Sequence, residues 1–248
     1  MRLPLVTSHA ACKGHAPENT LAGIERAIAL GADAIEIDVH CTSDGVPVLI
    51  HDKTVDRTTD GTGDIHEMTL DVARTLDAGA RQFVPRFQGE RIPTLAEVID
   101  LTRGKALLQI EIKQANIEEP VARAVRDADA IAWCETHSFW PENVRRMRDV
   151  EPRMAAMLLT EASRIVDWSD FWGFALSLNA QGVSVLYTFA TPERVRQAQR
   201  RGLTYMVWTV NDEAQMEAMV SAGVDSICSD FPDVVRKVVE AQARTGAR

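Results

Sequence analysis

The sequence predicts an α/β chain, a (β/α)8 TIM barrel with a small insertion after the second strand, and three observations carry that expectation. Short apolar runs alternate with helical patterns of roughly 10 to 15 residues, the signature of a parallel sheet crossed by helices. Eight strand-helix units can be counted when the runs ending at Asp38 and His51 are taken as one position, and eight imply closure. The length of 248 residues matches the roughly 250 usual for such a barrel. An open doubly wound sheet is the alternative, but no glycine-rich phosphate loop opens the first helix. The expected organisation is one domain over residues 1–248, with residues 53–92 as the insertion.

The elements follow in order. Leu3 to Thr7 is a short apolar run ending at Ser8-His9, and Pro17-Glu18-Asn19-Thr20 opens a helical pattern through Leu21, Ile24 and Ile28 that closes at Gly31. Ala34 to Asp38 is the second strand. Side chains alternate along it, so Glu36 and Asp38 share one face while Ile35, Ile37 and Val39 take the other. After a turn at Ser43-Asp44-Gly45, the run Val46 to Ile50 delivers His51 and Asp52. Residues 53–92 fit no strand-helix repeat, although Met68 to Leu76 reads as a helix. Alternation resumes with a helix from Leu95 to Leu101, a strand from Ala106 to Ile112 and a helix from Glu118 to Asp127. Ile131 to Phe139, Met154 to Leu159, Gly182 to Tyr187, Thr204 to Val210 and Ser226 to Ser229 are the remaining strands. Helices are expected over Pro141 to Val150, irregularly over 162–179, over Pro192 to Arg201, from Asp212 with Asn211 as its cap, and over Pro232 to Ala243.

Composition excludes several classes. With 46% hydrophobic and 25% charged residues the chain is ordinary globular material. A net charge of −9 argues against nucleic-acid or anionic-membrane binding, both of which want basic patches. No apolar run approaches the roughly 20 residues of a membrane span, so no stable membrane insertion is expected. Cys12, Cys41, Cys134 and Cys228 lie far apart with no C-x-x-C pair, which suits a reducing cytoplasm better than a disulfide scaffold or a zinc site. The apolar stretch at the N-terminus is too short for a signal peptide, so a cytoplasmic, unprocessed chain is expected. Homo-oligomerisation stays open, with no interface signature in the sequence.

In a (β/α)8 barrel the active site sits at the C-terminal ends of the strands. The polar residues there are His9, Glu36, Asp38, His51, Glu111, Lys113, His137, Trp208 and Asp230. Buried carboxylates need partners. Three acids converging at a barrel mouth, Glu36, Asp38 and Glu111, therefore call for one divalent cation, Mg or Ca, whose preferred ligands are oxygen. Glu111 pairing with Lys113 as a structural ion pair is the competing reading for that couple. His9 and His51 each follow an apolar strand directly and suggest acid-base chemistry. His15, His40, His66 and His137 read as structural.

In this set the chain resembles the glycerophosphodiester phosphodiesterases. The likeness rests on His9 with Ala16-Pro17-Glu18-Asn19-Thr20, on Gly31 through Val39, and on His51-Asp52 with Asp56-Arg57-Thr58-Thr59 and Gly61-Thr62-Gly63. Ile92 through Leu95, Glu111-Ile112-Lys113, Val207 through Asn211 and Ser229-Asp230 continue it in order. The resemblance implies that Glu36, Asp38 and Glu111 hold a divalent metal and that His9 and His51 are the acid-base pair. It further implies that Lys113 contacts the phosphate of a small glycerophosphodiester, releasing glycerol 3-phosphate and an alcohol. Water or the neighbouring glycerol hydroxyl would be the nucleophile, the latter by way of a cyclic phosphate. Trp208 would pack on the glycerol or a headgroup, or serve only as a barrel-wall aromatic.

One departure stands out. The family usually reads His-Arg-Gly at the first strand, and here the triplet is His9-Ala10-Ala11. A hydrogen bond to a charged partner is worth about 1.5 to 3 kcal/mol, so an uncompensated loss would slow catalysis ~10 to 100-fold. Lys13 is the nearby candidate to compensate, though as a point charge. Three readings remain: a compensated phosphodiesterase, one of altered substrate such as a lysophospholipase D-like enzyme, and a weakened binding or regulatory homologue.

Overall fold

The computed structural model describes residues 3–246, so the first two residues of the N-terminal stretch considered above lie outside the described residues. The chain runs β1 (Leu5–Ser8), α1 (Leu21–Ala29), β2 (Ala34–Cys41), β3 (Pro47–Leu49), α2 (Leu70–Ala73), α3 (Leu95–Thr102), β4 (Leu107–Ile112), α4 (Glu118–Asp127) and β5 (Cys134–Ser138). It continues α5 (Pro141–Val150), β6 (Ala155–Thr160), α6 (Trp168–Ser177), β7 (Gly182–Leu186), α7 (Pro192–Gln199), β8 (Thr204–Trp208), α8 (Glu213–Ala222), β9 (Ser226–Ser229) and α9 (Pro232–Gly246). The sheet order is β1-β9-β8-β7-β6-β5-β4-β2-β3, and pairing of β1 with β2 closes it. The eight strands other than β3 run parallel, which is the expected barrel.

The strands form where apolar residues are dense because both faces are covered, one by the helices and one by the barrel interior. Every residue of β2 is buried. Helix starts follow side-chain chemistry. The Gly23 amide donates to Thr20 Oγ1 at 3.1 Å and starts α1, and Thr94 with Glu97 forms a reciprocal capping box on α3. The main core joins the barrel strands to the inner faces of the helices. A smaller cluster, including Val48, Ile50, Val55, Ile65 and Ile92, sits beneath the segment that follows β3.

Two local expectations are corrected, and the run before His51 gains a direction. The stretch Met68 to Leu76 is not one helix: a 3-10 turn at Ile65–Glu67 precedes the single α-helical turn of α2, capped by Thr69. The run leading to His51, which the sequence groups with the second strand as one barrel position, is the antiparallel strand β3, with Val39 opposite Leu49 and Cys41 opposite Pro47. A two-strand reversal at Asp44-Gly45 costs less chain than a crossover. The cap of α8 is Asp212, whose carboxylate accepts from the Gln215 amide, and Asn211 is spent elsewhere. Among the described residues no helix is long and apolar enough to cross a membrane. The four cysteines are buried and unbridged.

Candidate active site

The C-terminal ends of the strands bring the expected residues around one cavity of about 380 Å³. Its lining includes His9, Glu36, His51, Glu111, Lys113 and Trp208. Asp38 lies just beneath, 1% exposed. Register explains the convergence: Asp38 pairs with Glu111 across β2 and β4, so the carboxylates of two neighbouring strands meet on the inner face.

Glu36, Asp38 and Glu111 each offer an oxygen, and these atoms lie within 4.8 Å of one another. Lys113 is the cation at hand, with Nζ 2.7 Å from Glu111 Oε1 and 3.1 Å from Asp38 Oδ1. One ammonium does not compensate three buried acids. Burial, reinforced by the Asp38 charge, raises Glu36 to about 7. Burial likewise raises Glu111 to about 7 in spite of Lys113, with Asp38 and Glu36 adding to the rise. Burial opposes ionisation of Asp38 too, but Lys113, His51 and a hydrogen bond from Asn19 hold it below its ordinary value. The trio is thus short of positive charge, and its all-oxygen donor set is what a hard divalent cation takes.

The two histidines are braced alike. His9 Nδ1 lies 2.6 Å from Asp230 Oδ1, and His51 Nδ1 lies 2.7 Å from Asp52 Oδ1. A carboxylate only accepts, so Nδ1 carries the proton in each pair and Nε2 is left for chemistry. His9 Nε2 stands 4.0 Å from Glu36 Oε2. Burial alone would lower the His9 pKa, but Asp230 and Glu36 outweigh it and lift the group to about 9. The braces are held in turn. Asn211 Nδ2 donates to Asp230 Oδ2 at 2.8 Å. Arg57 forks onto Asp52, with Nε donating to Oδ2 at 2.6 Å, and onto Glu18 through both terminal nitrogens.

The segment around Ala10 departs from what an arginine there would do. Ala10 and Ala11 adopt left-handed backbone, with φ of 45° and 66°, and the Ala10 amide donates to Glu36 Oε2 at 2.8 Å. Here the backbone, and not a side chain, contacts the acidic trio. Lys13 does not compensate in the cavity: its Nζ lies 3.7 Å from Glu18 Oε2, beside the Arg57 fork.

Several participants were not singled out from sequence. Asn19, also left-handed at φ 55°, donates from Nδ2 to Asp38 at 2.7 Å and accepts from the Asp38 amide at 3.0 Å. Arg57 lies in a segment that the sequence marks, and Asp230 is itself among the strand-end residues named from sequence, but the partners of both are set by the fold. Gln109 Nε2 is buried on the cavity wall with no hydrogen-bond partner. His40 bridges two neighbours, its Nδ1 2.8 Å from His66 Nε2 and its Nε2 3.3 Å from the His51 carbonyl oxygen. Trp208 is fixed on the far side: its Nε1 donates to the Ser184 carbonyl at 3.1 Å, and its ring meets Phe139 edge-on at 5.3 Å.

Comparison with known proteins gives a consistent picture. Residues 9–234 match the model of the glycerophosphoryl diester phosphodiesterase family. A glycerophosphodiester phosphodiesterase of Caldanaerobacter subterraneus subsp. tengcongensis is 37% identical over 241 residues, covering 95% of this chain and 97% of the relative. The crystal structure of a glycerophosphodiester phosphodiesterase from Agrobacterium tumefaciens superposes with a TM-score of 0.84 at 30% identity, covering 94% of this chain and 99% of the other. The structure of an Oleispira antarctica phosphodiesterase in complex with the product sn-glycerol-3-phosphate superposes with a TM-score of 0.86 at 28% identity, covering 96% and 97%.

Proposed function

The chain belongs to the glycerophosphoryl diester phosphodiesterase family, and from that premise we propose that it hydrolyses glycerophosphodiesters to glycerol 3-phosphate and an alcohol, with one divalent cation and two-histidine acid-base catalysis. The observation that carries the reading is the convergence on one cavity of three charge-deficient carboxylates and two carboxylate-braced histidines. Glu36, Asp38 and Glu111 would hold Mg or Ca, and the ion would neutralise phosphoryl oxygens and so lower the barrier to attack on an anionic diester.

The protein groups supply the rest. Lys113 faces the same cavity and offsets phosphate charge electrostatically. Of His9 and His51, one takes the proton of the attacking hydroxyl at its free Nε2 while the other protonates the departing alkoxide. The Asp230 and Asp52 carboxylates hold the tautomers that make this exchange available. Trp208 contributes to substrate packing.

The test is glycerol 3-phosphate release from glycerophosphocholine with Mg, with Ca and with chelator, on the unmodified protein and on Glu36→Gln, His9→Ala and His51→Ala. Metal-dependent turnover lost in all three variants supports the reading. Full activity in Glu36→Gln or His51→Ala overturns it. A second reading, a lysophospholipid substrate, draws on the rim, where Phe139 and Trp140 are 38% and 46% exposed. Faster turnover of lysophosphatidylcholine than of glycerophosphocholine would decide for it.

A further inference from the structure

The segment that follows β3 carries a histidine back toward His51. His66, on the 3-10 turn of that segment, places its Nε2 2.8 Å from Nδ1 of His40 on β2. His40 Nε2 in turn lies 3.3 Å from the carbonyl oxygen of His51. A carbonyl oxygen only accepts, so Nε2 of His40 carries the proton of that bond. In the neutral ring Nδ1 is then the acceptor, and His66 Nε2 is the donor. The chain of bonds runs one way, from His66 through His40 to His51.

Both ends of the chain are anchored. The His66 amide donates to Asp64 Oδ1 at 2.9 Å, and the Asp64 carboxylate is paired with Lys53 at 2.5 Å. Ile65, the neighbour of His66, is buried in the small apolar cluster with Val48, Ile50 and Val55. At the other end the Ile50 amide donates to the Asp38 carbonyl oxygen at 3.0 Å, and the Lys53 carbonyl oxygen accepts from the Ile65 amide at 3.0 Å. His51 sits between these two ties, and the bond from His40 holds its own carbonyl. Its side chain is 44% exposed, so packing does little to orient the ring and the backbone beneath it must. His40 is 3% exposed, and a nitrogen buried so deeply is costly to leave without a partner. The donor from His66 therefore fixes the His40 ring, and the His40 ring fixes the His51 carbonyl.

We propose that His40 and His66 are positioning residues for His51, setting through its carbonyl the backbone from which its ring enters the cavity. This rests on the phosphodiesterase reading above, in which His51 exchanges a proton at Nε2. Misplacing such a group by about 1 Å can cost on the order of 100-fold in rate. The inserted segment thereby takes part in catalysis without touching substrate.

His66 is the residue to change. A cavity of about 240 Å³ beside the first is lined by His40, His51 and Lys113, so a His40 variant would mix positioning with direct contact. Among the described residues lining the two cavities, His66 has no place. Glutamine carries its amide nitrogen near the place of Nε2 and asparagine near that of Nδ1, so His66→Gln keeps the donor to His40 and His66→Asn loses it. Both are polar and suit a site that is one-quarter exposed.

Values of kcat and KM for glycerophosphocholine are measured with Mg or Ca in the unmodified protein and in both variants. The His51 carbonyl carbon and the His9 ring are followed by NMR in the same three proteins without metal. Positioning predicts a kcat about tenfold lower in His66→Asn at a KM within about twofold, with His66→Gln close to the unmodified protein. The His51 carbonyl resonance moves in His66→Asn alone, and the His9 resonances stay in place in all three proteins. An unchanged kcat in His66→Asn, or a loss as large in His66→Gln, overturns the proposal. So does a displacement of the His9 resonances alongside that of His51, which marks general loosening. Absence of turnover in all three proteins defeats the phosphodiesterase reading, and the NMR then still decides the positioning chain: a His51 carbonyl resonance unmoved in His66→Asn overturns it.

Discussion

The Nδ1 of His9 stands 2.6 Å from Oδ1 of Asp230, joining the first barrel strand to the last across 221 residues of sequence. The bond fixes which nitrogen of His9 faces the cavity, and with Glu36 it keeps the ring protonated to a higher pH than a free imidazole. Replacing Asp230 by Asn removes the charge and keeps the shape. In the metal-free protein the His9 pKa is expected to fall from about 9, and kcat with cation present to fall about 10 to 100-fold. NMR titration of the imidazole and a pH-rate profile check both. An unmoved His9 titration would show that Asp230 is not the group that raises it.

Cation binding should couple to pH with a definite sign. Burial, with the Asp38 charge, holds Glu36 at about 7, and burial with the neighbouring acids holds Glu111 at about 7 despite Lys113. Both lie above the ordinary carboxylate value, so in the metal-free fold these groups keep protons that the unfolded chain has already lost. Stability is highest below the unfolded pKa and declines as pH rises to about 7. A cation replaces the missing protons. The rise in Tm on adding Mg or Ca should therefore be a few degrees larger at about pH 8 than at about pH 5. Thermal melts with chelator and with metal measure it, and a larger effect at the acid end would count against the trio as the binding site.

Arg57 is expected to matter through His51 without touching the cavity. Its bonds are the leading cause that pulls Asp52 down to about 2, and His51 adds to the effect. Asp52 therefore stays ionised until pH falls to that range, and it contributes stability above its unfolded pKa. Arg57→Ala should raise the Asp52 pKa and lower kcat about tenfold, with Arg57→Lys recovering only part, because lysine cannot fork between Asp52 and Glu18. Carboxyl NMR and steady-state kinetics on both variants provide the readout; full recovery by lysine would reduce the role of the fork to simple charge.

Gly23 faces the alanine that stands where the family carries glycine. A Cβ built at Gly23 would come 2.9 Å from Ala11 Cβ and 3.1 Å from the Pro17 carbonyl oxygen. Glycine to alanine inside a helix ordinarily gains about 1 kcal/mol. Here Gly23→Ala should instead destabilise by about 1 to 3 kcal/mol, and adding Ala11→Gly should return part of the loss. Denaturant melts of the two single variants and the double variant give the coupling. Strict additivity would mean that the two sites do not press on each other.

Much of this architecture could be read before the structure, for a physical reason. A strand has a two-residue repeat, so spacing alone put Glu36 with Asp38 and Glu111 with Lys113, and apolar runs placed them at strand ends. Loops have no such repeat. The Asn19 contact with Asp38, the Arg57 fork and the Asp230 brace all come from segments between elements, where a residue's partner depends on how distant chain is folded. Asn211 shows the same limit: its sequence position suits a helix cap, but its amide is engaged by Asp230 and Ser229, and Asp212 caps the helix. Glu161 and Phe139 gave no motif at all. Their place at the cavity became visible only once the barrel had closed.

The antiparallel pairing of β3 with β2 divides the site into a part that is local in sequence and a part that is not. Asp38 and His51 lie 13 positions apart in the numbering, joined by one hairpin, whereas His9 waits for Asp230 at the end of the last barrel strand. Loop-closure entropy makes the first a fast event and the second a late one. In refolding we expect the environment of His51 to mature ahead of that of His9. Catalysis then becomes a signal that the chain has been completed, since an interrupted barrel would hold half of the machinery and none of the turnover.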